Sequence, residues 1–176
     1  MSAHIEITPL GQSGFRFIFS GLTVYVDPYL SNSVEMLDAK DLVRQLEIPF
    51  LPNEIVDADF VVITHDHLDH CDPFTLPQIS QASPQASFIG PISVIELLRK
   101  WGIPDARLFL ASEAGIKLGI DLEVFAIPAA HPEIQRDENG NLLAVGYLFN
   151  YASKKIYIAG DTFARQELID KLKTFG

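Results

Sequence analysis

The chain opens with alternating hydrophobic and polar positions, the pattern of strands that are buried on one face. Short runs of this kind cover residues 5–10, 14–19 and 22–26, and Ser20-Gly21 predicts a hairpin turn between the last two. Residues 60–64, which read Phe-Val-Val-Ile-Thr, are typical of a strand buried on both faces. The first part of the chain therefore predicts a sheet.

Strands and helices alternate further along the chain. Additional strands are predicted at residues 86–89, 107–110, 121–127, 143–150 and 155–159. A helix is predicted after Gly90-Pro91, with its apolar side formed by Val94, Leu97, Leu98 and Trp101 and its end at Gly102 and Pro104. A last helix places Leu168, Ile169, Leu172 and Phe175 at helical spacing. This layout predicts an α+β domain with helices covering one face.

Residues 31–58 are less regular than the rest of the chain. Residues 38–46 predict a short helix, and Pro49 and Pro52 indicate an extended loop. Two interpretations remain open, because such a segment either lines an active site or simply connects two strands.

The composition narrows the class of protein. With 176 residues, 48% hydrophobic and 20% charged, the chain fits one globular domain. A net charge of −10 disfavours nucleic acid as a partner, because such binding needs lysine and arginine, although a cationic metal site still attracts a small anion. The chain contains no run of about 18 apolar residues, so no membrane span is predicted. The single cysteine, Cys71, excludes an internal disulfide. With no secretory signal visible, we predict a cytoplasmic protein.

Three histidines and two aspartates lie within six residues, directly after the strand predicted at 60–64. The run reads His-Asp-His-Leu-Asp-His over residues 65–70. Imidazole and carboxylate groups suit Zn²⁺, Mn²⁺ and Fe²⁺. A spacing of two puts His65 and His67 on one side of an extended segment, so that Asp69 and His70 can face a second metal position. Because a core would otherwise have to satisfy every ring nitrogen, the cluster predicts a metal site.

Two residues far downstream are candidates for the same site. His131 ends a strand-like run, and a lone histidine there is more often structural than a ligand. The upstream cluster needs one more imidazole for a three-histidine site, however, and this favours His131 as a ligand. Asp161, in the run Gly-Asp-Thr, lies at a strand end where ligands collect in α/β sheets. Asp161 either bridges two metals or caps the following helix.

The order of these motifs resembles that of the metallo-β-lactamase superfamily. The resemblance is carried by residues 65–70, His131 and residues 160–162, together with Thr64 and the run Val-Tyr-Val-Asp-Pro at 24–28. The runs Phe-Ile-Gly-Pro at 88–91 and Trp-Gly-Ile-Pro at 101–104 are similar to the branch that contains bacterial L-ascorbate-6-phosphate lactonase. The resemblance implies an αββα sandwich and a metal-dependent hydrolase.

The resemblance also implies two divalent metal ions, Zn²⁺ or Mn²⁺. His65, His67 and His131 would hold the first ion. Asp69 and His70 would hold the second, and Asp161 would bridge the two. A hydroxide on the metals would cleave a small, anionic ester, lactone or phosphoester, for which a sugar-phosphate lactone is one candidate. Asp69 and Asp161 would be the catalytic carboxylates.

The chain departs from the family pattern at the second metal. A further histidine normally follows well downstream of Asp161, but no histidine follows His131 here. We therefore expect one hydrolase domain over residues 1–176 that is truncated at its C-terminus and binds the second metal weakly or not at all. A naturally short relative and a site completed by another subunit are the alternatives. Exposed apolar edges of an incomplete sheet would favour a homo-oligomer.

Other functions fit parts of the pattern. A nuclease or phosphodiesterase would need a basic surface, which the net charge opposes. Di-iron relatives that reduce oxygen or nitric oxide carry glutamate at the position of His67. A non-catalytic metal-binding or interaction module is favoured only by the missing histidine, and Cys71 is a less favoured substitute ligand. Candidates for contacting a phosphate are Arg16, Arg99, Arg136 and Lys154.

Overall fold

Ten strands and four α-helices are present in the computed structural model, which describes residues 4–176. The strands are β1 (Ile5–Pro9), β2 (Phe15–Phe19), β3 (Leu22–Val26), β4 (Phe60–Val62), β5 (Ser87–Gly90), β6 (Leu108–Leu110), β7 (Ile116–Lys117), β8 (Leu122–Pro128), β9 (Val145–Tyr151) and β10 (Lys154–Ile158). The helices are α1 (Ser33–Leu37), α2 (Leu76–Ala82), α3 (Ile92–Lys100) and α4 (Gln166–Lys173).

The first six strands form one sheet in the order β1-β2-β3-β4-β5-β6. The first three strands are antiparallel, and β3 to β6 run parallel to one another. The predicted hairpin between β2 and β3 is confirmed, with Ser20 at φ 49° and Gly21 at φ 93°. Positive φ at both central residues is what a type I′ hairpin turn requires.

The remaining strands form a second, antiparallel sheet in the order β10-β9-β8-β7. The hairpin between β9 and β10 turns at residues 152–153, and Ala152 takes a positive φ of 52°. Strand β7 was not predicted, because two residues are too short for a periodic pattern.

The two sheets pack face to face, and alternation along each strand of the first sheet divides its side chains between two cores. Val62 and Ile89 pack with Phe149 and other residues of the second sheet. Their neighbours Val61 and Phe88 point to the opposite face and pack under helices α2 and α3. Because side chains alternate along a strand, both faces of this sheet are buried, as the apolar run at residues 60–64 predicts.

Helices cover both outer faces, whereas the residue pattern predicted that they cover one. Helices α2 and α3 lie on the first sheet, with Val94 and Leu98 buried there. Helix α4 lies on the second sheet, where Leu168 packs with Ile127 and Leu148, while Ile169 points toward solvent and is 39% exposed. The αββα sandwich expected from the sequence is therefore confirmed.

The end of helix α2 is held by an arginine. The guanidinium of Arg107 donates hydrogen bonds to the carbonyl oxygens of Ser80, Ser83 and Ala86 at 3.0, 2.9 and 2.6 Å. Ser80 belongs to the last turn of α2, where carbonyls have no partner within the helix, whereas Ser83 and Ala86 lie between α2 and β5. Helix α2, which follows directly after the histidine cluster, is thereby fixed to the sheet.

The helix predicted at residues 38–46 is wrong. Helix α1 lies earlier, at Ser33–Leu37, and turns follow it. Leu42, Val43 and Leu46 are 61%, 49% and 55% exposed, so these residues bury no apolar face against the sheet. Without that burial a short helix gains little stability.

Two hydrogen bonds join the end of β4 to the second sheet. The backbone N–H of Val145 donates to the carbonyl of Thr64 at 2.9 Å, and the hydroxyl of Tyr147 donates to the carbonyl of Ile63 at 2.9 Å. These bonds fix the start of the histidine cluster against β9. In the described part of the chain, no helix is long and apolar enough to cross a membrane.

Candidate metal centre

The six residues predicted for the site come together where strands of both sheets end. His65, His67, Asp69 and His70 follow β4 of the first sheet. His131 and Asp161 follow β8 and β10 of the second sheet. The candidate site therefore lies at the seam between the sheets and depends on how the two sheets dock.

The first group of possible ligands consists of three histidines. One ring nitrogen each of His65, His67 and His131 lies within 4.8 Å of the others. Nε2 of His131 is 3.1 Å from Nδ1 of His67, and the ring centroids of the three pairs are 4.6–4.9 Å apart. Three imidazoles that converge in this way form the donor set of a three-histidine zinc site.

The second group shares His65 with the first. Ligand atoms of His65, His70 and Asp161 also lie within 4.8 Å of one another. Nε2 of His70 is 3.3 Å from Oδ1 of Asp161 and 3.6 Å from Oδ2 of Asp69. Asp69 stands at the margin of this group, because its oxygens are not within 4.8 Å of all the other atoms.

His65 supplies an observation that bears on whether a metal fits. Its side chain is 2% exposed, and its Nε2 is buried without a hydrogen-bond partner among residues 4–176. Burial and the neighbouring His70 lower the pKa of His65 to about 4, so the ring is neutral near pH 7. An unpaired buried nitrogen costs about 1–3 kcal/mol. A divalent cation held by a neutral imidazole would satisfy it, so the residues fit a metal.

Asp27 belongs to the site, although the sequence did not single it out as a site residue. It is 3% exposed and follows β3 directly. Its carboxylate accepts hydrogen bonds from the backbone N–H and the hydroxyl of Thr64, both at 2.7 Å, and lies 2.9 Å from Nδ1 of His70. Burial lowers the pKa of His70, but the hydrogen bond and charge of Asp27 outweigh it and raise the pKa to about 8. A sequence signal existed, since Asp27-Pro28 was part of the resemblance, but the partners are 37 and 43 residues away.

The loops that carry His131 and Asp161 are tied to each other. The N–H of Ala130 donates to the hydroxyl of Thr162 at 2.9 Å, and the N–H of Phe163 donates back to the carbonyl of Ala130 at 2.9 Å. Helix α4 begins only at Gln166, so Asp161 is not its N-cap. This leaves the carboxylate of Asp161 free to face His70.

Several other candidates from the sequence lie elsewhere. Arg16, Arg99 and Arg136 are paired with Asp57, Asp105 and Glu113, respectively. Cys71 packs in the core under α2, and burial strongly raises the pKa of its thiol, which disfavours the thiolate that a metal would need. Asp66 is exposed. None of these residues joins the two groups of possible ligands.

A cleft of about 560 Å³ opens over the second group. Asp69, His70 and Asp161 form one wall, and Phe15, Val26 and Ile158 are among the apolar residues of the others. The residues that line it, all within the described part of the chain, include no lysine or arginine. This cleft gives a small molecule access to the candidate metal ligands.

Comparison with known proteins identifies the family. A family model described as a beta-lactamase superfamily domain matches residues 12–175. A metal-dependent hydrolase of Pyrobaculum neutrophilum is 30% identical over 173 residues, which are 96% of this chain and 67% of that protein. A probable L-ascorbate-6-phosphate lactonase of Salmonella choleraesuis is 30% identical over 129 residues, covering 65% of this chain and 36% of that protein.

Solved structures show the same fold. The isothiocyanate hydrolase from Delia radicum gut bacteria has a TM-score of 0.72 and 20% identity, with 98% of this chain and 68% of that chain covered. A metallo hydrolase of the archaeon Ignicoccus hospitalis has a TM-score of 0.63 and 22% identity, with 93% and 63% covered. The chain thus spans about two thirds of these relatives. It belongs to the metallo-β-lactamase superfamily, among the metal-dependent hydrolases of that superfamily.

Proposed function

We propose that this domain hydrolyses a small ester or lactone with the help of divalent metal ions. His65, His67 and His131 would hold the first ion. Asp69 and His70 would hold the second, with Asp161 between the two. The observation that carries the proposal is the buried Nε2 of His65, which is unpaired within the described chain, on a residue that shares in both groups of possible ligands.

The chemistry of the site divides between the metal and the protein. A bound Zn²⁺ or Mn²⁺ supplies Lewis acidity, which lowers the pKa of water and stabilises negative charge on oxygen. Asp69 has 40% of its side chain exposed and lines the cleft, and in this proposal it would accept the proton of the attacking water. Asp27 holds His70 through Nδ1, which leaves Nε2 facing Asp69 and Asp161. Phe15, Val26 and Ile158 would pack against the substrate.

The lining of the cleft favours a carbonyl substrate over a phosphorylated one. A phosphate group is normally bound by arginine, lysine or several backbone N–H groups. Among residues 4–176 the cleft is lined by no lysine or arginine, and three aspartates line it: Asp27, Asp69 and Asp161. An uncharged ester or lactone therefore fits this wall better than the anionic substrate expected from the sequence.

The experiment combines metal analysis with a substrate panel. The chain is stripped with chelator, reloaded with Zn²⁺ or Mn²⁺, and assayed with p-nitrophenyl acetate, δ-valerolactone and bis(p-nitrophenyl) phosphate. We expect bound metal and metal-dependent cleavage of the ester or lactone, with little cleavage of the phosphodiester. His131→Ala should lose metal and activity. His4→Ala is the matched control, because His4 is exposed and, within residues 4–176, pairs only with Glu6.

Two outcomes would contradict the proposal. A chain that binds metal with the expected histidine dependence but cleaves nothing in the panel would support a non-catalytic metal-binding module. Preferential cleavage of the phosphodiester would favour a phosphodiesterase, despite the net charge of −10.

A further inference from the structure

Thr64 lies at the centre of the polar network behind the candidate ligands. It is fully buried, and its hydroxyl contacts both Asp27 and His65. We propose that the Thr64 hydroxyl fixes the tautomer of His65, so that Nε2 of His65 carries the lone pair that a metal needs. Thr64 is thus a positioning residue that acts through His65. This inference rests on the proposed metal centre.

The direction of the hydrogen bonds carries the first step. A hydroxyl has one hydrogen, and a carboxylate can only accept. The Thr64 hydroxyl lies 2.7 Å from Oδ2 of Asp27, a distance that requires its hydrogen to lie between the two oxygens. The same hydroxyl lies 3.0 Å from Nδ1 of His65. Since its hydrogen is used on Asp27, it accepts there, and Nδ1 of His65 must be the donor.

The other end of the ring carries the second step. A neutral imidazole has one protonated nitrogen, so a hydrogen on Nδ1 leaves a lone pair on Nε2. Nε2 is the buried atom without a partner, and the ring of His65 belongs to both groups of possible ligands. The opposite tautomer would point an N–H at this position and could not bind a cation.

A packing contact adds a steric role to Thr64. Gly160, the residue before Asp161, has φ +59°, and a Cβ built on it would lie 2.9 Å from Cβ and Oγ1 of Thr64. The side chain of Thr64 therefore lies directly against the backbone that leads to Asp161. Thr64 thus sets both the hydrogen bonding of His65 and how closely the backbone at Gly160, which leads to Asp161, approaches the first sheet.

Two variants separate these roles, and a third calibrates general damage. Thr64→Ser keeps the hydroxyl, whereas Thr64→Val keeps the shape and removes the acceptor for His65. Thr75→Val is the matched control, because Thr75 is also fully buried and its hydroxyl bonds to Asp72 and to the N–H of Leu30. That hydroxyl touches none of the candidate ligands, so its loss affects only the fold.

The first measurement is the tautomer of His65 in the metal-free full chain, from long-range ¹H–¹⁵N NMR of the histidine rings, assigned by comparison with His65→Gln. We expect the Nδ1–H form in the wild type and in Thr64→Ser. Thr64→Val should show the Nε2–H form or a mixture. An Nε2–H form in the wild type would overturn the inference, even if every variant folds poorly.

The second measurement is Zn²⁺ affinity by competition with a chromophoric chelator. Removing the partner of a ligand histidine typically weakens metal binding by about 10- to 100-fold, which is the loss expected for Thr64→Val. Thr64→Ser and Thr75→Val should bind like the wild type. Equal affinity of Thr64→Val and the wild type would refute the role of Thr64. A wild type that takes up no metal would instead refute the proposed function, and the NMR result would still decide the tautomer.

Discussion

Replacing Asp27 with asparagine should make the stability of the metal-free protein less dependent on pH. The change keeps the shape of a side chain that is 3% exposed but removes its charge. In the wild type, Asp27 is the principal group that offsets the effect of burial and raises the pKa of His70 from 6.5 to about 8. In Asp27→Asn that offset is lost, and burial lowers the pKa of His70 back toward its ordinary value.

The magnitude follows from this difference in pKa. One pH unit corresponds to 1.36 kcal/mol, so the raised pKa of His70 contributes about 2 kcal/mol to the free energy of unfolding. Because the pKa is higher in the folded state, this contribution is complete below pH 6.5 and disappears as the pH rises through about 8. Asparagine has only one acceptor oxygen, so loss of one of the two hydrogen bonds from Thr64 adds a cost that does not change with pH.

Urea unfolding followed by circular dichroism in EDTA, between pH 6 and pH 9, tests this reasoning. The difference in free energy of unfolding between the wild type and Asp27→Asn should shrink by about 2 kcal/mol across this interval. Asp59→Asn is the control, because Asp59 accepts a hydrogen bond from the N–H of Thr23 and no histidine contact involves it. A wild-type–Asp27→Asn difference that stays constant, or grows with pH, would refute the assigned role of Asp27.

Three further predictions concern the site and its support. Gly160→Ala should lower the free energy of unfolding by about 1–3 kcal/mol and weaken Zn²⁺ binding at least about tenfold, because the new Cβ would collide with Thr64 at a positive φ. Calorimetry measures both quantities. Gly119→Ala is the control and should change neither, because its Cβ would meet only a leucine methyl at 3.5 Å. Arg107→Met should lower the free energy of unfolding in urea by about 1–3 kcal/mol by removing the hydrogen bonds to the carbonyls of Ser80, Ser83 and Ala86, with metal content unchanged. When free Zn²⁺ is kept at 100 times its Kd, removing it should lower the free energy of unfolding by about 2.7 kcal/mol and Tm by roughly 5–10 °C. An unchanged Tm would argue against a metal bound to the folded state.

The strands could be predicted because burial imposes a period of two on the sequence. Residues 15–19 show this period and form β2, whereas the continuous apolar run at 60–64 indicates a strand buried on both faces and contains β4. The failures have a common cause. Residues 38–46 have the composition of a helix but no surface to pack on, and α2 has only three buried residues in seven, too few for a clear helical pattern. Tertiary packing, which a local window does not contain, decided both cases.

The candidate ligands could be predicted from residue type and local spacing, but the residues that hold them in place could not. Histidines 65, 67 and 70 indicate a metal because they crowd into one loop. Asp27 gave no comparable signal, because a lone aspartate after a strand is common and its partners are distant in the chain. The hydrogen bond between Thr162 and Ala130 was hidden in the same way, since it joins residues 32 positions apart. Contacts between residues that are distant in the chain can be identified only once the fold is known.

The seam between the two sheets has a consequence for the order of folding. His67 and His131 are 64 residues apart in the chain and approach each other only when the second sheet has docked on the first. An ion bound by the proposed residues would therefore be captured late, after the loop between them has closed and its entropy has been lost. Once captured, it would tie the sheets together, so that separating them requires the ion to leave. Metal would then slow unfolding more than it speeds folding, and the lifetime of the folded chain would depend on the supply of metal.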